Sequence, residues 1–317
     1  QTCDFSVFRI YADKNNRPAA YNKDNVPYHP KHWAPVSLQG YKQGDFSMTM
    51  GYPGSTSRYL SSYGIRERRD ALNAPRAQVR GVKQDVMTRH MRASEAVRIK
   101  YDSKFAQSAN YWKNSIGMNK CIDSIGLIAQ KQRYEDIIRH WQDSTSYLKG
   151  QLDFDKMARL YNERFEPRKA AMYFQETFLR TNELTDRALK ALTSMTKKDK
   201  KGDYVTFADN SDTWDASLDK DVQAVLLKNY REHVDAKYLP AFYQIIDKKF
   251  GGDYQKYVNY LWETSALMKK DAKVYVTKKA IKKDAGLQYG AQLKAMREVF
   301  NHALDATRDS IDNQERM

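Results

Sequence analysis

Residues 51–60 read Gly-Tyr-Pro-Gly-Ser-Thr-Ser-Arg-Tyr-Leu. Proline fixes φ at about −65° and the glycine after it tolerates positive φ, so Pro53 and Gly54 predict a tight turn at the end of a strand. No glycine-rich phosphate loop ending in Lys-Ser or Lys-Thr is present, and no Gly-x-Ser-x-Gly motif surrounds Ser55 or Ser57. The stretch therefore predicts a structural turn, and the sequence pattern changes beyond it.

Residues 1–65 have the composition of a small β segment. Five of the eight prolines of the chain lie before residue 65. Apolar residues alternate over 5–10 and again over 46–50, which is the pattern of short strands bounded by glycine or proline. Such a segment supplies about four short strands, whereas a closed small barrel needs about six to eight. We therefore expect strand edges that pair with other parts of a parent protein.

The pattern over 66–317 is helical. Long helices are predicted over about 77–109, 168–194, 253–269 and 287–312. Two further helices are predicted from apolar residues that share a face: Ile122, Ile125, Ala129, Ile137 and Trp141 in one, and Val222, Val225, Leu226 and Tyr230 in the other, with Ser217 as its N-cap. Residues 197–216 break the pattern and predict a loop. The predicted fold is mainly α: an irregular multi-helix domain over 66–317, preceded by a small β segment over 1–65.

The chain is strongly basic, with 54 lysines and arginines against 39 acidic residues and a net charge of +15. These charges are scattered at helical spacing, as on solvated helix faces. An alternative interpretation is a non-enzymatic helical interaction module that binds nucleic acid or an acidic protein, and it predicts steeply salt-dependent binding. The sequence contains no apolar run of about 18 residues, the length that a membrane-spanning helix needs.

No metal or cofactor site is predicted. His29 and His32 lie in a proline-rich segment without a third ligand nearby, and no His-Glu-x-x-His motif occurs. Cys3 and Cys121 are the two cysteines of the chain. Two separate thiols are favoured over a bridge between them, although a bridge stays open in an oxidising compartment.

Residues 2–6, Thr-Cys-Asp-Phe-Ser, resemble the segment Thr-Gly-Asp-Phe/Trp-Ser of the bacterial dipeptidyl-peptidases of the 7 and 11 type, with Cys3 in place of glycine. Together with residues 51–60, this resemblance implies part of a serine exopeptidase with a chymotrypsin-like barrel and an inserted helical domain. It implies that Asp4 is the catalytic aspartate, which holds the histidine in one tautomer and stabilises its cation. The catalytic histidine and serine have no counterpart here, so the chain is expected to be a fragment that is inactive alone.

Residues 110–113 read Asn-Tyr-Trp-Lys and resemble a motif in the helical domain of the same family. The resemblance implies that Asn110 reaches into the active-site cleft and helps to hold the N-terminal amine of the substrate. The chemistry is suitable, because an amide oxygen accepts a proton from an ammonium group. Such a hydrogen bond to a charged group contributes roughly 1.5–3 kcal/mol.

The resemblance also implies the setting of the parent protein. It would release dipeptides from peptides with a free N-terminus, lie in the periplasm or cell envelope, form a homodimer, and use residues 66–317 to cap the active-site cleft. The preference for an apolar or acidic second substrate residue stays open. A second alternative is a structural helical domain of a cell-envelope protein, in which changing Asn110 alters stability alone.

Overall fold

The computed structural model describes residues 7–46, 48, 51–52, 56–57, 59–147, 150–194, 204–207 and 211–316. The chain divides into two compact units, residues 1–56 and residues 57–317. Asp4 and Cys3 lie outside the described residues, and so does the turn at Pro53 and Gly54. The expectations for these residues therefore stay predictions.

The first unit contains one described pair of short strands. β1 (Tyr11–Ala12) pairs antiparallel with β2 (Val26–Pro27). The loops around this pair are held by Asn16, whose side-chain nitrogen donates to the carbonyl oxygen of His29 and whose side-chain oxygen accepts from the His29 amide, both at 2.8 Å. His29 thus contributes to a turn rather than to a ligand set.

The strands do not fall where the alternating pattern placed them. The described residues of the first predicted run, 7–10, precede β1 without strand geometry, and Phe46 and Met48 also lie outside any strand. Phe8 and Phe46 are almost fully exposed, at 86% and 89%. Alternation predicts a strand only when one face is buried against a neighbour, and these side chains have none here.

The second unit is built from helices, so the fold is mainly α, as predicted. Its α-helices are α1 (Ser62–Arg66), α2 (Ala74–Ala93), α3 (Glu95–Ser124), α4 (Leu127–Thr145), α5 (Phe154–Phe178), α6 (Glu183–Ser194), α7 (Ala216–His233), α8 (Phe242–Phe250), α9 (Tyr254–Thr264), α10 (Lys278–Lys283) and α11 (Ala285–Glu315). A π-helical turn over Glu67–Asn73 joins α1 to α2, and 3₁₀ turns lie at Ser211–Thr213, Ala236–Tyr238 and Ala266–Met268. In the part of the chain that the structure describes, no helix is long and apolar enough to cross a membrane.

Several predicted helices are interrupted by residues with capping chemistry. The helix expected over 77–109 ends at Ala93, and Ser94 begins α3 by accepting a hydrogen bond from the Val97 amide at 3.3 Å. The helix expected over 168–194 is likewise divided, because Asn182 begins α6 by accepting from the Thr185 amide at 2.9 Å. A side chain that satisfies an unpaired amide stabilises a new helix start, and this outweighs the continuous apolar pattern.

Of the apolar face predicted over residues 122–141, only Ile122 is buried. Gly126 adopts φ +60° and separates α3 from α4, which rotates the two halves of the pattern relative to each other. Ile125 is 50% exposed and Ile137 63% exposed. Glycine adopts left-handed backbone without strain, so Gly126 permits the break between α3 and α4.

The N-cap of α7 lies two residues before the predicted one. Asp215, not Ser217, accepts the capping hydrogen bond, from the Leu218 amide at 2.9 Å. The segment predicted as a loop over 197–216 also contains β3 (Tyr204–Thr206), which pairs antiparallel with β4 (Lys273–Tyr275) and places Val205 opposite Val274. A three-residue strand that depends on a partner about 70 positions away leaves no local signal.

The core of the second unit is aromatic. Phe178 of α5 packs edge-on against Tyr230 of α7, Phe242 of α8 and Tyr289 of α11, with ring centroids 5.0–6.5 Å apart. All four side chains are essentially inaccessible to solvent. Aromatic pairs in this geometry add about 0.5–1.5 kcal/mol each to the burial of their surface. Helices distant in sequence are thereby held around one centre.

The end of α11 is joined to the start of α1. The Glu315 carboxylate accepts hydrogen bonds from the Ser61 amide at 2.8 Å, the Ser61 hydroxyl at 2.6 Å and the Tyr161 hydroxyl at 2.7 Å. The neighbouring Gln314 side chain accepts from the Asp153 amide at 2.8 Å. The start of α1 therefore contacts the last described turn of α11.

Candidate functional site

Helix α3 carries the Asn-Tyr-Trp-Lys motif at its middle. Asn110 is exposed to solvent, and Tyr111 is 50% exposed. Trp112 is partly buried and lies against Gly81 of α2, where a Cβ atom would be 3.5 Å from the indole nitrogen. The motif therefore presents the amide of Asn110 outward while its tryptophan packs on the adjacent helix.

Arg80 of α2 contacts the motif region of α3 and helps to position it. Its guanidinium donates to the Ser108 carbonyl oxygen at 3.3 Å and lies 4.9 Å from the ring centroid of Tyr111. The same guanidinium donates to Glu176 of α5 at 2.7 Å, and Arg76 donates to the other oxygen of Glu176 at 2.9 Å. Because the Glu176 side chain is only 6% exposed, these charge-assisted bonds are screened little by solvent. They fix α2, α3 and α5 relative to each other.

A cleft of about 1050 Å³ opens beside this motif. Helices α2, α3, α5, α6, α7 and α11 contribute to its walls, and Gln107, Ser108 and Tyr111 bring the motif region to its edge. Asn110 itself is not among the lining residues. It lies one helical step from Tyr111, so its side chain points to the neighbouring face of α3.

The walls of the cleft are predominantly basic. Seven arginine and lysine side chains line it, against four carboxylates. Among the basic groups, Arg76 and Arg80 bind Glu176, and the Lys104 ammonium donates to the Thr213 carbonyl oxygen at 2.6 Å. The cleft thus carries an excess of positive charge, which favours anionic ligands.

A buried carboxylate forms part of the cleft floor. Asp219 of α7 accepts hydrogen bonds from the Tyr101 hydroxyl at 2.5 Å and from the Glu183 amide at 2.8 Å. Burial raises the pKa of Asp219 to about 6, although both hydrogen bonds act in the opposite direction. Burial likewise raises the pKa of Tyr101, and the Asp219 charge adds to that shift.

The sequence gives no sign of the buried pair Tyr101 and Asp219. Two aspartates, Asp219 and Asp221, lie in the first turns of α7, where acidic residues are common. Their environments differ, because Asp219 is 3% exposed, whereas the Asp221 side chain is 37% exposed and bonds to His90 at 2.9 Å. Helical spacing alone does not distinguish the two, since Tyr101 approaches from a helix 118 positions earlier.

The predicted catalytic and substrate-binding residues are not both described. Asn110 is placed on the exposed side of α3, whereas Asp4 lies outside the described residues, so no distance relates them. Cys121 is exposed on α3, and its pairing with Cys3 stays open for the same reason. Within the described ranges, no three histidine, cysteine or carboxylate side chains are grouped so that they could hold a metal ion.

Comparison with known proteins identifies the family. The model of peptidase S46 matches residues 1–317, the whole of the chain. The chain belongs to the peptidase S46 family. The resemblance inferred from residues 2–6, 51–60 and 110–113 is thereby confirmed at the family level.

Curated S46 relatives have dipeptidyl-peptidase names. Dipeptidyl-peptidase 7 of Porphyromonas gingivalis is 41% identical over 270 residues, which is 84% of this chain and 38% of the relative. An Asp/Glu-specific dipeptidyl-peptidase of Capnocytophaga gingivalis is 33% identical over 313 residues, which is 93% of this chain and 43% of the relative. The chain therefore spans about two fifths of the length of the curated S46 relatives it matches.

The fold is similar to a solved S46 structure. Porphyromonas endodontalis DPP11 in complex with the dipeptide Arg-Glu aligns with a TM-score of 0.72, covering 97% of this chain and 46% of that chain. The sequence identity in this alignment is 24%, so the likeness concerns the fold.

Proposed function

We propose that this chain is the helical cap and an adjoining part of the catalytic barrel of a serine dipeptidyl-peptidase, which releases dipeptides from the free N-terminus of peptides. The observation that carries the proposal is the 41% identity to a dipeptidyl-peptidase 7 over 84% of the chain, within a family match that extends over all 317 residues. Cell-envelope location and a homodimeric parent belong to the same proposal and rest on the family resemblance.

Asp4 has the role of the catalytic aspartate in this proposal. A histidine that takes the proton of a serine nucleophile must be held in one tautomer, and its cation must be stabilised while the tetrahedral intermediate forms. A carboxylate hydrogen-bonded to the histidine supplies both effects. The segment Thr-Cys-Asp-Phe-Ser supports the assignment, because it matches the family segment at every position except Cys3.

Asn110 has the role of an amine ligand. Its exposure on α3 leaves both polar atoms of the amide available to a substrate, and Arg80 stabilises the helix beneath it through Ser108 and Tyr111. A ligand on a helix that is packed in this way sets the distance from the amine to the scissile bond, which is how an exopeptidase measures two residues. Because the helix backbone is already ordered, only the Asn110 side chain has to be ordered on contact.

The test is dipeptide release from fluorogenic dipeptidyl substrates by the full-length protein and its variants. We expect Asp4→Ala to lower kcat/KM by about 10⁴-fold, as losses of triad aspartates do. We expect Asn110→Ala to lower kcat/KM for free-amine substrates by about 10- to 100-fold, mostly through KM.

A matched control is available on the same face of α3. Asn114 is also an exposed asparagine, one turn further along the helix. Asn114→Ala should leave dipeptide release unchanged. Equal activity of the wild type, Asp4→Ala and Asn110→Ala in well-folded protein would contradict both assignments, and salt-dependent binding of nucleic acid would then favour the interaction-module alternative.

A further inference from the structure

Three cations of the cleft have no carboxylate partner. Of the basic lining residues, Arg76 and Arg80 share the carboxylate of Glu176. In contrast, no ion pair within the described residues includes Lys83, Arg180 or Arg297, although all three line the cleft. The four carboxylates that line the same cleft are outnumbered by its seven cations, and two of them, Glu176 and Glu183, already bind arginines.

The three other carboxylates of the cleft are Glu183, Asp219 and Asp186. Glu183 binds Arg187, with a separation of 2.7 Å. Asp219 accepts from Tyr101 and from the Glu183 amide, and burial raises its pKa to about 6, so it is about half ionised at pH 6. Burial also raises the pKa of Asp186. The walls of the cleft therefore carry less negative than positive charge.

Lys83 is the most constrained of the three cations. It lies in the middle of α2, partly buried among residues of the cleft. Burial lowers the pKa of its ammonium, and the charges of Asp219, Glu176 and Asp186 oppose that effect without forming an ion pair with it. A desolvated ammonium is unfavourable without a hydrogen-bonded anion, so an anion bound in the cleft would stabilise the charged form of Lys83.

Arg180 lies at the rim of the cleft, where the chain passes from α5 to α6. Its backbone adopts φ +61°, a left-handed conformation that glycine occupies without strain. The structure nevertheless has an arginine with an exposed side chain at this position. Non-glycine residues in this conformation cost about 1–2 kcal/mol and concentrate at binding and catalytic sites.

The remaining walls suit an organic ligand rather than a bare ion. Met87, Phe174 and Phe300 contribute apolar surface, and Tyr101 and Tyr111 add aromatic faces with hydroxyl groups. The cavity volume of about 1050 Å³ is at the upper end of the range for small-molecule sites, about 300–1,000 Å³. Such a volume accommodates a molecule of tripeptide size.

We propose that this cleft binds a ligand with two or more carboxylates, held by Lys83 within the cleft and by Arg180 and Arg297 at its rim. Two sources supply this chemistry: a free tricarboxylate, or the acidic side chains of a peptide. The site is distinct from the amine ligand Asn110, which faces the neighbouring side of α3, and its occupancy does not depend on peptidase activity.

The test is isothermal titration calorimetry of the full-length protein with three probes. Citrate represents the free tricarboxylate, and triglutamate blocked at both ends represents the peptide, with blocked triglutamine as the neutral control. The N-terminal block prevents the probe from presenting a free amine. Binding of citrate, of triglutamate or of both is expected, with no binding of triglutamine, and the stronger of the two acidic probes identifies the source.

Variants distinguish binding in the cleft from nonspecific attraction to the basic surface. Lys83→Gln and Arg180→Gln should each weaken binding of the acidic probe about 10-fold or more, whereas Lys120→Gln, at an exposed lysine of α3 that does not line the cleft, should change it less than 2-fold. Arg180 is exposed, so its variant remains informative if Lys83→Gln fails to fold. Absence of binding for both acidic probes, or equal weakening by Lys120→Gln, would overturn the proposal.

Discussion

At the scale of single residues, Asp219 is a carboxyl group whose pKa is raised strongly by burial. Its pKa is raised from 3.8 to about 6 by burial. The folded state therefore binds the Asp219 proton more tightly than the unfolded state does. Stability from this group is fully present below about pH 4 and is lost as the pH rises through about 6, to an extent on the order of 3 kcal/mol.

This reasoning predicts a specific pH dependence. The free energy of unfolding of the wild type, relative to that of Asp219→Asn, should fall as the pH rises from 4 to 7, with most of the change completed near pH 6. Urea unfolding at one-unit pH intervals measures it. Asp309→Asn, at an exposed carboxylate of α11, is the control. A difference between wild type and Asp219→Asn that stays constant with pH would refute the assignment.

A family motif draws attention to a residue in the sequence, whereas an environment made by packing does not. Asn110 is predicted as a site residue because its neighbours form a recognisable tetrapeptide, and this stays a prediction. Lys83 and Arg180 carry no such signal, because one lies in an ordinary helical pattern and the other in a break between helices. Their environments depend on side chains of α7 and α11, which local spacing does not reveal.

At the scale of elements, replacing glycine by alanine should have opposite effects on stability at Gly117, within α3, and at Gly126, between α3 and α4. Gly126 has φ +60° and Gly117 lies within α3, and a Cβ atom on either would meet no atom within 4 Å. Backbone conformation alone therefore decides the outcome. Gly126→Ala should lower the free energy of unfolding by about 1–2 kcal/mol, whereas Gly117→Ala should raise it by about 0.5–1 kcal/mol.

The measurement is the shift in the urea midpoint for the two variants, compared at constant m-value. Each variant is the control for the other, because both add one methyl group to an open site. A stabilising Gly126→Ala variant would show that α3 and α4 join into one helix in solution.

Helix existence was predicted well, and helix boundaries were not. The long apolar periodicities over 66–317 correctly predicted a mainly α fold. The breaks at Ser94, Gly126 and Asn182 were missed, although serine, glycine and asparagine are the residue types that end or begin helices. Each also occurs within helices, so the residue type alone does not indicate a break.

At the scale of the whole molecule, the contact between Ser61 and Glu315 ties the first helix to the last. We predict that Ser61→Ala and Glu315→Gln are coupled in a double-mutant cycle by about 1–2 kcal/mol, because the shared bond joins a hydroxyl to a carboxylate. Urea unfolding of the wild type, both single variants and the double variant gives the coupling. A coupling near zero would mean that the two ends separate before the helical unit unfolds.

The mainly α class was predicted from composition and periodicity, and the family from three short motifs. The positions of the strands were not, because two-residue and three-residue strands such as β1 and β3 depend on partners rather than on their own sequence. The aromatic centre around Phe178 was also beyond prediction, since tyrosine and phenylalanine recur throughout the chain.

The junction of Ser61 with Glu315 brings two points of the chain that are 254 positions apart into contact. A stretch whose two boundary points touch can gain or lose length between them without displacing either point. The helices between Ser61 and Glu315 can therefore lengthen, shorten or acquire a new cleft in evolution while the junction itself is kept.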